Sequence, residues 1–347
     1  MPSKIKKDTT IKDIANLLKT TPATVSRALN DLPEISDQMK KQVRAAARKL
    51  DYEKNKIASS LRSGRTKTIG VIIPTAEQNF FGSVVHGIVD VAEMYGYDVI
   101  IHQSNESHLL EKKGVQSFLA ARVEGILASV AKDTVDFSHF LQARKKKLPI
   151  VFFDRVMEDL GIPTVGIDDY GGAYRATEHL FQQGYRRIAH ISGPKDIKIF
   201  RERLRGYSDA VKAHKKKLDE TLIFQGDLSI ESGKLGASHF LEMKDPPDAI
   251  FAVEDFTALG VIKELKERNV SVPDKFGVIG FCNEMFGLHI TPTLSTIDQQ
   301  TVEMGREAFR LIYDIIVKGK KYRGNHVKNI VLDAIPIYRQ SSNRQKP

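Results

Sequence analysis

From Thr68 onward the sequence alternates between short β-branched runs and stretches of helical spacing. "TIGVII" is followed by a helix through Val84, Ile88 and Val91. Then come "YDVIIH", a helix ending near Arg122, "VEGILAS", a helix to Lys147, and "PIVFFD". The series restarts with "VGIDD", a helix from Gly171 to Gln183, and "RIAHIS". It continues through "TLIFQGD", "DAIFAVED" and "FGVIGFCN", with a helix between each pair. Few architectures accept this pattern. Parallel strands need crossover connections, which helices supply, so the sheets are expected to be parallel and covered on both faces. Two such series in about 270 residues imply two doubly wound lobes, with a ligand site beyond the carboxyl ends of the strands.

Charge sets the first 68 residues apart. The 347-residue chain carries a formal net charge of +10. Residues 1–68 hold 16 Lys and Arg against 7 Asp and Glu, whereas the remainder is nearly balanced at 37 against 36. A neutral body behind a basic head points to a polyanion partner for the head alone. The single cysteine, Cys282, excludes an intramolecular disulfide and fits a reducing compartment. No apolar run approaches the ~18 residues of a membrane span, and "MPSKIKKDTT" has no apolar signal core. The expectation is a cytoplasmic protein without a membrane partner.

The basic head is more than a solvated tail, because it has apolar periodicity. "TIKDIANLL" places Ile11, Ile14, Ala15 and Leu18 at helical spacing, with Thr10 as cap and Asp13 in the acidic role of a capping box. After the break Lys19 to Thr21, a second helix runs from Pro22 to Asn30, capped by Thr21, with Val25, Ala28 and Leu29 on one face. A third begins near Asp37, with Met39, Val43, Ala46, Ala47 and Leu50 inward. This is the helix-turn-helix plan, in which the second helix enters the major groove of duplex DNA. Its front edge is nearly bare: Pro22, Ala23, Thr24 and Ser26 let the helix approach the bases, and Pro22 and Ala23 offer apolar contact to a thymine methyl. Arg27, one turn on, has the reach and geometry to bond guanine O6 and N7 or a phosphate. From Asn55 to Leu61 the spacing of Ile57, Ala58 and Leu61 is helical but too short to be stable alone, as a hinge would be.

"TIKDIA", "ATVSRALN", "VRAAARKLDY", "KIASSLRSGRTKTIGVIIP" and, later, "IGFCN…TPTLSTID" occur in this order along essentially the whole chain, and in this the sequence closely resembles the lactose/galactose repressor (LacI/GalR) family. The resemblance implies an all-α helix-turn-helix domain followed by a periplasmic-binding-protein-like body. It implies a homodimer that binds near-palindromic double-stranded operator DNA, with a small-molecule, sugar-like effector between the lobes and no other cofactor. It also implies that two hinge helices pair in the minor groove and that a leucine, here Leu61, wedges into a base step. The candidate DNA-contacting residues are Thr10, Ile11, Thr21, Pro22, Ala23, Ser26, Arg27, Asn30 and Ser36 in the head. Asn55, Ile57, Ala58, Leu61 and Arg62 are the candidates in the hinge. The expected domains are 1–54 (DNA-binding), 55–66 (hinge and linker), 67–340 (body) and a 341–347 tail. Within the body, the N-lobe spans about 67–166 and 297–331, and the C-lobe about 167–296 and 332–340. "YRQSSNRQKP" lacks heptads, so no helical tetramerisation tail is expected.

No catalytic constellation is visible. GxGxxG, GxxxxGK[ST] and GxSxG are absent, and the ten histidines show no metal-ligand spacing, so neither an enzyme nor a metal site is expected. Strand ends nominate Ser129, Asp154, Asp255, Cys282 and Asn283 for the effector. Arg155 adjoins Asp154, and Phe80 and Phe81 follow the first strand and are placed to stack on a ring face. By resemblance, Arg203 matches the effector-contacting arginine. Two positions depart from the family pattern: Cys282 stands where an aspartate is usual, and Glu254 where some sugar-binding members have an amide. A third departure is Lys19, where the helix-turn-helix turn often has glycine.

Overall fold

The computed structural model describes residues 9–52, 64–77, 79–155, 160–319 and 328–344. The chain forms two compact units, Met1–Thr66 and Lys67–Pro347. The first packs α1 (Ile11–Leu17), α2 (Pro22–Leu29) and α3 (Asp37–Lys49) around Ile14, Val25, Ala28 and Val43, none of which is exposed to solvent. Local chemistry fixes the helix starts. The Asp13 carboxylate accepts from Thr10 N at 2.8 Å and Thr10 Oγ1 at 2.7 Å. Thr21 Oγ1 accepts from Thr24 N at 3.1 Å, and Ser36 Oγ from Met39 N at 3.3 Å. Lys19 sits in the turn at φ 49°, the left-handed region where a side chain costs about 1 kcal/mol and glycine is at ease.

The second unit contains two parallel sheets among its described residues. The strands of the first are β1 (Thr68–Ile73), β2 (Asp98–Gln103), β3 (Gly125–Ala128), β4 (Ile150–Phe153), β5 (Thr164–Ile167) and β11 (Asn329–Leu332), in the order β11-β5-β4-β3-β1-β2. The second has β6 (Ile188–Ser192), β7 (Ile223–Gln225), β8 (Ala249–Ala252) and β9 (Gly277–Ile279), in the order β7-β6-β8-β9. β1 pairs in parallel with β2 from Thr68 opposite Asp98, and with β3 from Ile69 opposite Gly125. Helices α4 (Asn79–Met94), α5 (His108–Ala120), α6 (Ser138–Lys145) and α11 (Thr301–Lys318) belong with the first sheet. Helices α7 (Asp169–Gln182), α8 (Lys198–Ala213), α9 (Ile230–Leu241) and α10 (Asp255–Glu267) belong with the second.

Two features differ from the sequence expectation. The strand in "VGIDD" does not open the second series; it is β5, paired with β4 and β11 in the first sheet. Not every pairing is parallel, because β10 (Thr296–Asp298) and β12 (Ile335–Ile337) run antiparallel. The chain passes between lobes at Asp168, at Gln299–Gln300 and at Asp333–Ala334, and these passages are bonded together. Asp168 N donates to Leu332 O at 2.9 Å, Gln300 Nε2 to Asp333 O at 2.8 Å, and Arg175 Nη2 to Ala334 O at 2.7 Å.

Candidate functional site

In the head, the cap Thr21 and the small side chains of Pro22 and Ala23 leave the start of α2 exposed, with Ser26 half-buried behind them. Arg27 is exposed, and no described residue bonds its guanidinium; by contrast Arg44 and Lys40 are both drawn to Asp31, at 2.9 and 3.4 Å. Asn30 Nδ2 donates to Ser26 O at 2.8 Å at the far end of the helix. Thr10 and Ser36 are exposed at the starts of α1 and α3, and Ile11 is half-buried. The start of α2 is therefore a small, unobstructed edge with one long cation behind it. The hinge candidates Asn55, Ile57, Ala58, Leu61 and Arg62 lie outside the described residues.

In the body, the carboxyl ends of both sheets face a cleft whose empty space, open solvent included, is about 480 Å³. Phe80 and Phe81 come from the first turn of α4, Lys132 from the loop after β3, and Asp154 and Arg155 from the end of β4. The other lobe contributes Ile199, Phe200 and Arg203 from α8, Leu228 after β7, Glu254 after β8, and Cys282 and Glu284 after β9. Gln299 enters from a lobe passage. Seven of the sequence-nominated effector residues thus converge: Phe80, Phe81, Asp154, Arg155, Arg203, Glu254 and Cys282. The two phenylalanines meet edge to face with centroids 5.0 Å apart, and Phe81, 1% exposed, is core first and pocket wall second.

Three nominated residues stand behind the wall. Ser129 is fully buried and donates Oγ to Asp154 Oδ2 at 3.1 Å, so it orients a lining carboxyl. Asp255 turns inward from the first turn of α10 and accepts from Glu284 N and Thr296 Oγ1, each at 2.7 Å. Asn283 Oδ1 is taken by Arg339 Nη2 at 2.7 Å, and its backbone N by Thr296 Oγ1 at 3.1 Å. A strand end is readable from sequence; the side of the chain on which each residue projects there is not. Phe200, Glu284 and Gln299 went unnoticed for a related reason. Phe200 needed only the helical spacing from Arg203, and Gln299 lies at an expected lobe passage, but nothing in the sequence says that its side chain turns into the cleft.

The charges in the pocket are largely spoken for. Arg203, 2% exposed, donates Nε to Asp169 Oδ1 and Nη1 to Val253 O, both at 2.8 Å, and Nη2 to Gln299 Oε1 at 3.4 Å. Its guanidinium carbon lies 3.7 Å from the Phe281 ring centroid. Arg155 grips Glu106 in bidentate fashion at 2.6 and 2.9 Å. Burial pushes the Glu106 carboxyl up, but Arg155 and then Lys132 outweigh it and hold Glu106 below the usual carboxylate range. The remaining carboxyls move the other way. Burial raises Asp154 and Glu284, brings Asp169 to about 6 and Asp255 to about 7, and carries Glu254 to about 8. Glu254 is therefore mainly a neutral carboxylic acid at pH 7, able to donate as well as accept, while its Oε1 caps α10 through Thr257 N at 3.1 Å. Burial also pushes the Cys282 thiol well up, and Sγ accepts from Gln299 Nε2 at 2.8 Å. Cys282 sits at φ 125°, a strained conformation for a side chain at the pocket edge.

One histidine cluster is not registered by sequence spacing. His108, Glu111 and His139 offer ligand atoms within 4.8 Å of one another, because α5 and α6 bring their first turns together. The third ligand comes from a separate helix, which sequence spacing does not register.

The chain matches two family models. The one for bacterial regulatory proteins of the lacI family covers residues 10–55, and the one for periplasmic binding proteins and the sugar-binding domain of the LacI family covers residues 66–336. The HTH-type transcriptional repressor CytR of Escherichia coli K12 is 31% identical over 318 residues, spanning 92% of this chain and 91% of that protein. A transcriptional regulator CelR in complex with cellobiose is 26% identical, with TM-score 0.72, covering 96% of this chain and 99% of that one. The lac repressor dimer bound to operator and the anti-inducer ONPF is 23% identical and shares the fold, with TM-score 0.85 over 97% of this chain and 99% of that one. Among the described residues no helix is long and apolar enough to cross a membrane. With the bare-edged reading helix and the two-lobed pocket in view, these matches are decisive: the chain belongs to the LacI family of DNA-binding transcription regulators.

Proposed function

We propose that this chain is a dimeric, cytoplasmic repressor whose effector is an uncharged, hydroxyl-rich small molecule such as a sugar or nucleoside. The observation that carries the reading is the state of the pocket charges. Arg203 and Arg155 are already committed to Asp169 and Glu106, while Asp154, Glu254 and Glu284 remain on the wall. A phosphate or carboxylate ligand would meet more acid than free cation. Hydroxyls suit a wall of carboxyl groups, one of them protonated, together with a glutamine amide. The cellobiose bound by the CelR relative agrees with this chemistry. Bound ligand touches both lobes, so it favours one angle between them. Through the bonded passages at Asp168, Gln300 and Ala334 it biases the segment that joins the body to the head, by no more than its differential affinity for the two states.

Arg27 reads the operator in this scheme. Arg27→Ala is expected to cost about 1–3 kcal/mol at a matched site, measured by gel-shift titration. A thermal-shift screen tests the pocket. Neutral sugars and nucleosides are expected to include a ligand that raises the melting temperature, and Glu254→Ala to diminish that rise. Stabilisation by phosphorylated or carboxylated compounds alone would overturn the effector class.

A further inference from the structure

The geometry points to a second site in the body, a binding site for one divalent transition-metal ion of the zinc, cobalt or nickel class, held by His108, Glu111 and His139. His108 and Glu111 stand one turn apart at the start of α5, and His139 is the second residue of α6. Glu111 is 0% exposed and His139 3%. Glu111 Oε2 accepts from Ala131 N at 2.8 Å; its Oε1 accepts from Thr134 Oγ1 and His139 Nε2, both at 2.9 Å. The carboxylate only accepts, so His139 must donate through Nε2. His139 Nδ1 lies on the other side of the ring. That Nδ1 has no partner, and neither does the buried Nδ1 of His108, whose ring meets the His139 ring edge to face with centroids 5.0 Å apart. Two orphaned imidazole nitrogens beside a buried carboxylate are costly as a purely structural device.

An ion that displaces the Nε2 proton of His139 would be held by that nitrogen, a Glu111 oxygen and one nitrogen of His108, three residues whose ligand atoms already lie within 4.8 Å of one another. Among the described residues no lysine or arginine pairs with Glu111; its ion-pairing partner is His139, at 2.9 Å. Two imidazoles and one carboxylate are borderline donors. They suit zinc-class ions, whereas calcium and magnesium require oxygen ligands. Zinc bonds of ~2.0–2.1 Å bring donors to roughly 3.4 Å of one another, so the half-buried His108 ring, the least constrained of the three, closes on the ion. The site lies behind the loop Val130–Thr134. Ala131 and Thr134 of that loop bond Glu111, and its Lys132 lines the effector cavity, so the ion would stiffen one wall of the pocket.

Untagged full-length protein, stripped with chelator, is titrated with Co²⁺ while visible d–d absorption is followed, and with Zn²⁺ by competition. One ion per chain and visible bands from nitrogen and oxygen ligation are expected. His108→Ala removes the half-buried ligand with least effect on packing, checked by circular dichroism, and should weaken binding at least ~10-fold. His139→Gln should abolish it. Binding that is equally tight in the wild type and in His108→Ala, or that never saturates near one ion per chain, would overturn the site. If His139→Gln does not fold, the His108→Ala comparison decides alone.

Discussion

Glu254 shows how far one residue's environment rewrites its sequence identity. In the sequence it is an acid where relatives place an amide; in the fold it is 7% exposed, and burial lifts its pKa to about 8. A carboxyl whose folded pKa lies above its ordinary 4.5 binds its proton more tightly in the native state. Its contribution to stability is therefore fully present below about pH 4.5, is lost as pH rises toward about 8, and is constant beyond. Glu254→Gln keeps the neutral shape and cannot ionise. We expect the variant to match the wild type in melting temperature near pH 5 and to exceed it at pH 9. Asp255, raised to about 7, leaves a smaller decline of the same sign in both proteins. Equal slopes across that range would mean that Glu254 is solvated. Glu254 was singled out only by resemblance, because the strand end nominated its neighbour Asp255. That it is neutral was not legible, because the groups that bury it come from segments far away in sequence. The same limit separated Asp154, which lines the pocket, from Asp255, which turns inward to Thr296.

Elements were legible where the periodicity was strong, and contacts between elements were not. β1 and α4 are read directly from "TIGVII" and the Val84–Ile88–Val91 stripe, yet the partner of α4 is α11, more than two hundred residues later. Their crossing is closer than side chains allow. A Cβ on Gly87 would lie 2.0 Å from Val302 O, and one on Gly305 2.0 Å from Val84 O, so each helix approaches the other's backbone through a glycine. This explains why α11, arriving after a passage from the other lobe, docks in one register. It shares the buried cluster of Ile88, Met304, Ala308 and Phe309 with α4. Gly87→Ala forces the helices apart, and overpacking of this kind costs about 1–3 kcal/mol, more where backbone is the obstacle. The variant should melt well below the wild type. Gly82→Ala, on the same helix with open space around it, should not. Equal melting temperatures for the two would show that the crossing is looser than drawn.

For the whole molecule, the division of charge is the most consequential feature, and composition alone revealed it. The excess of 16 Lys and Arg over 7 Asp and Glu in residues 1–68 has a structural counterpart. Some head cations, such as Arg44, are paired within the head, while Arg27 stands exposed beside the bare start of α2. Binding to duplex DNA must then release counterions. Six to ten phosphate contacts across two heads would lower affinity about 10³–10⁵-fold between 50 and 200 mM salt. The same titration separates two roles for Arg27. If it bonds a guanine edge, Arg27→Ala lowers affinity for the matched operator by about 1–3 kcal/mol at every salt concentration and leaves the slope nearly unchanged. If it neutralises a phosphate, the variant weakens matched and unmatched DNA alike and reduces the slope by about one. The exposed edge formed by Pro22 and Ala23 brings the helix close enough for the first outcome. A wild-type slope near zero would remove the basis for both, because a head so unbalanced in charge cannot hold a polyanion without displacing its ions.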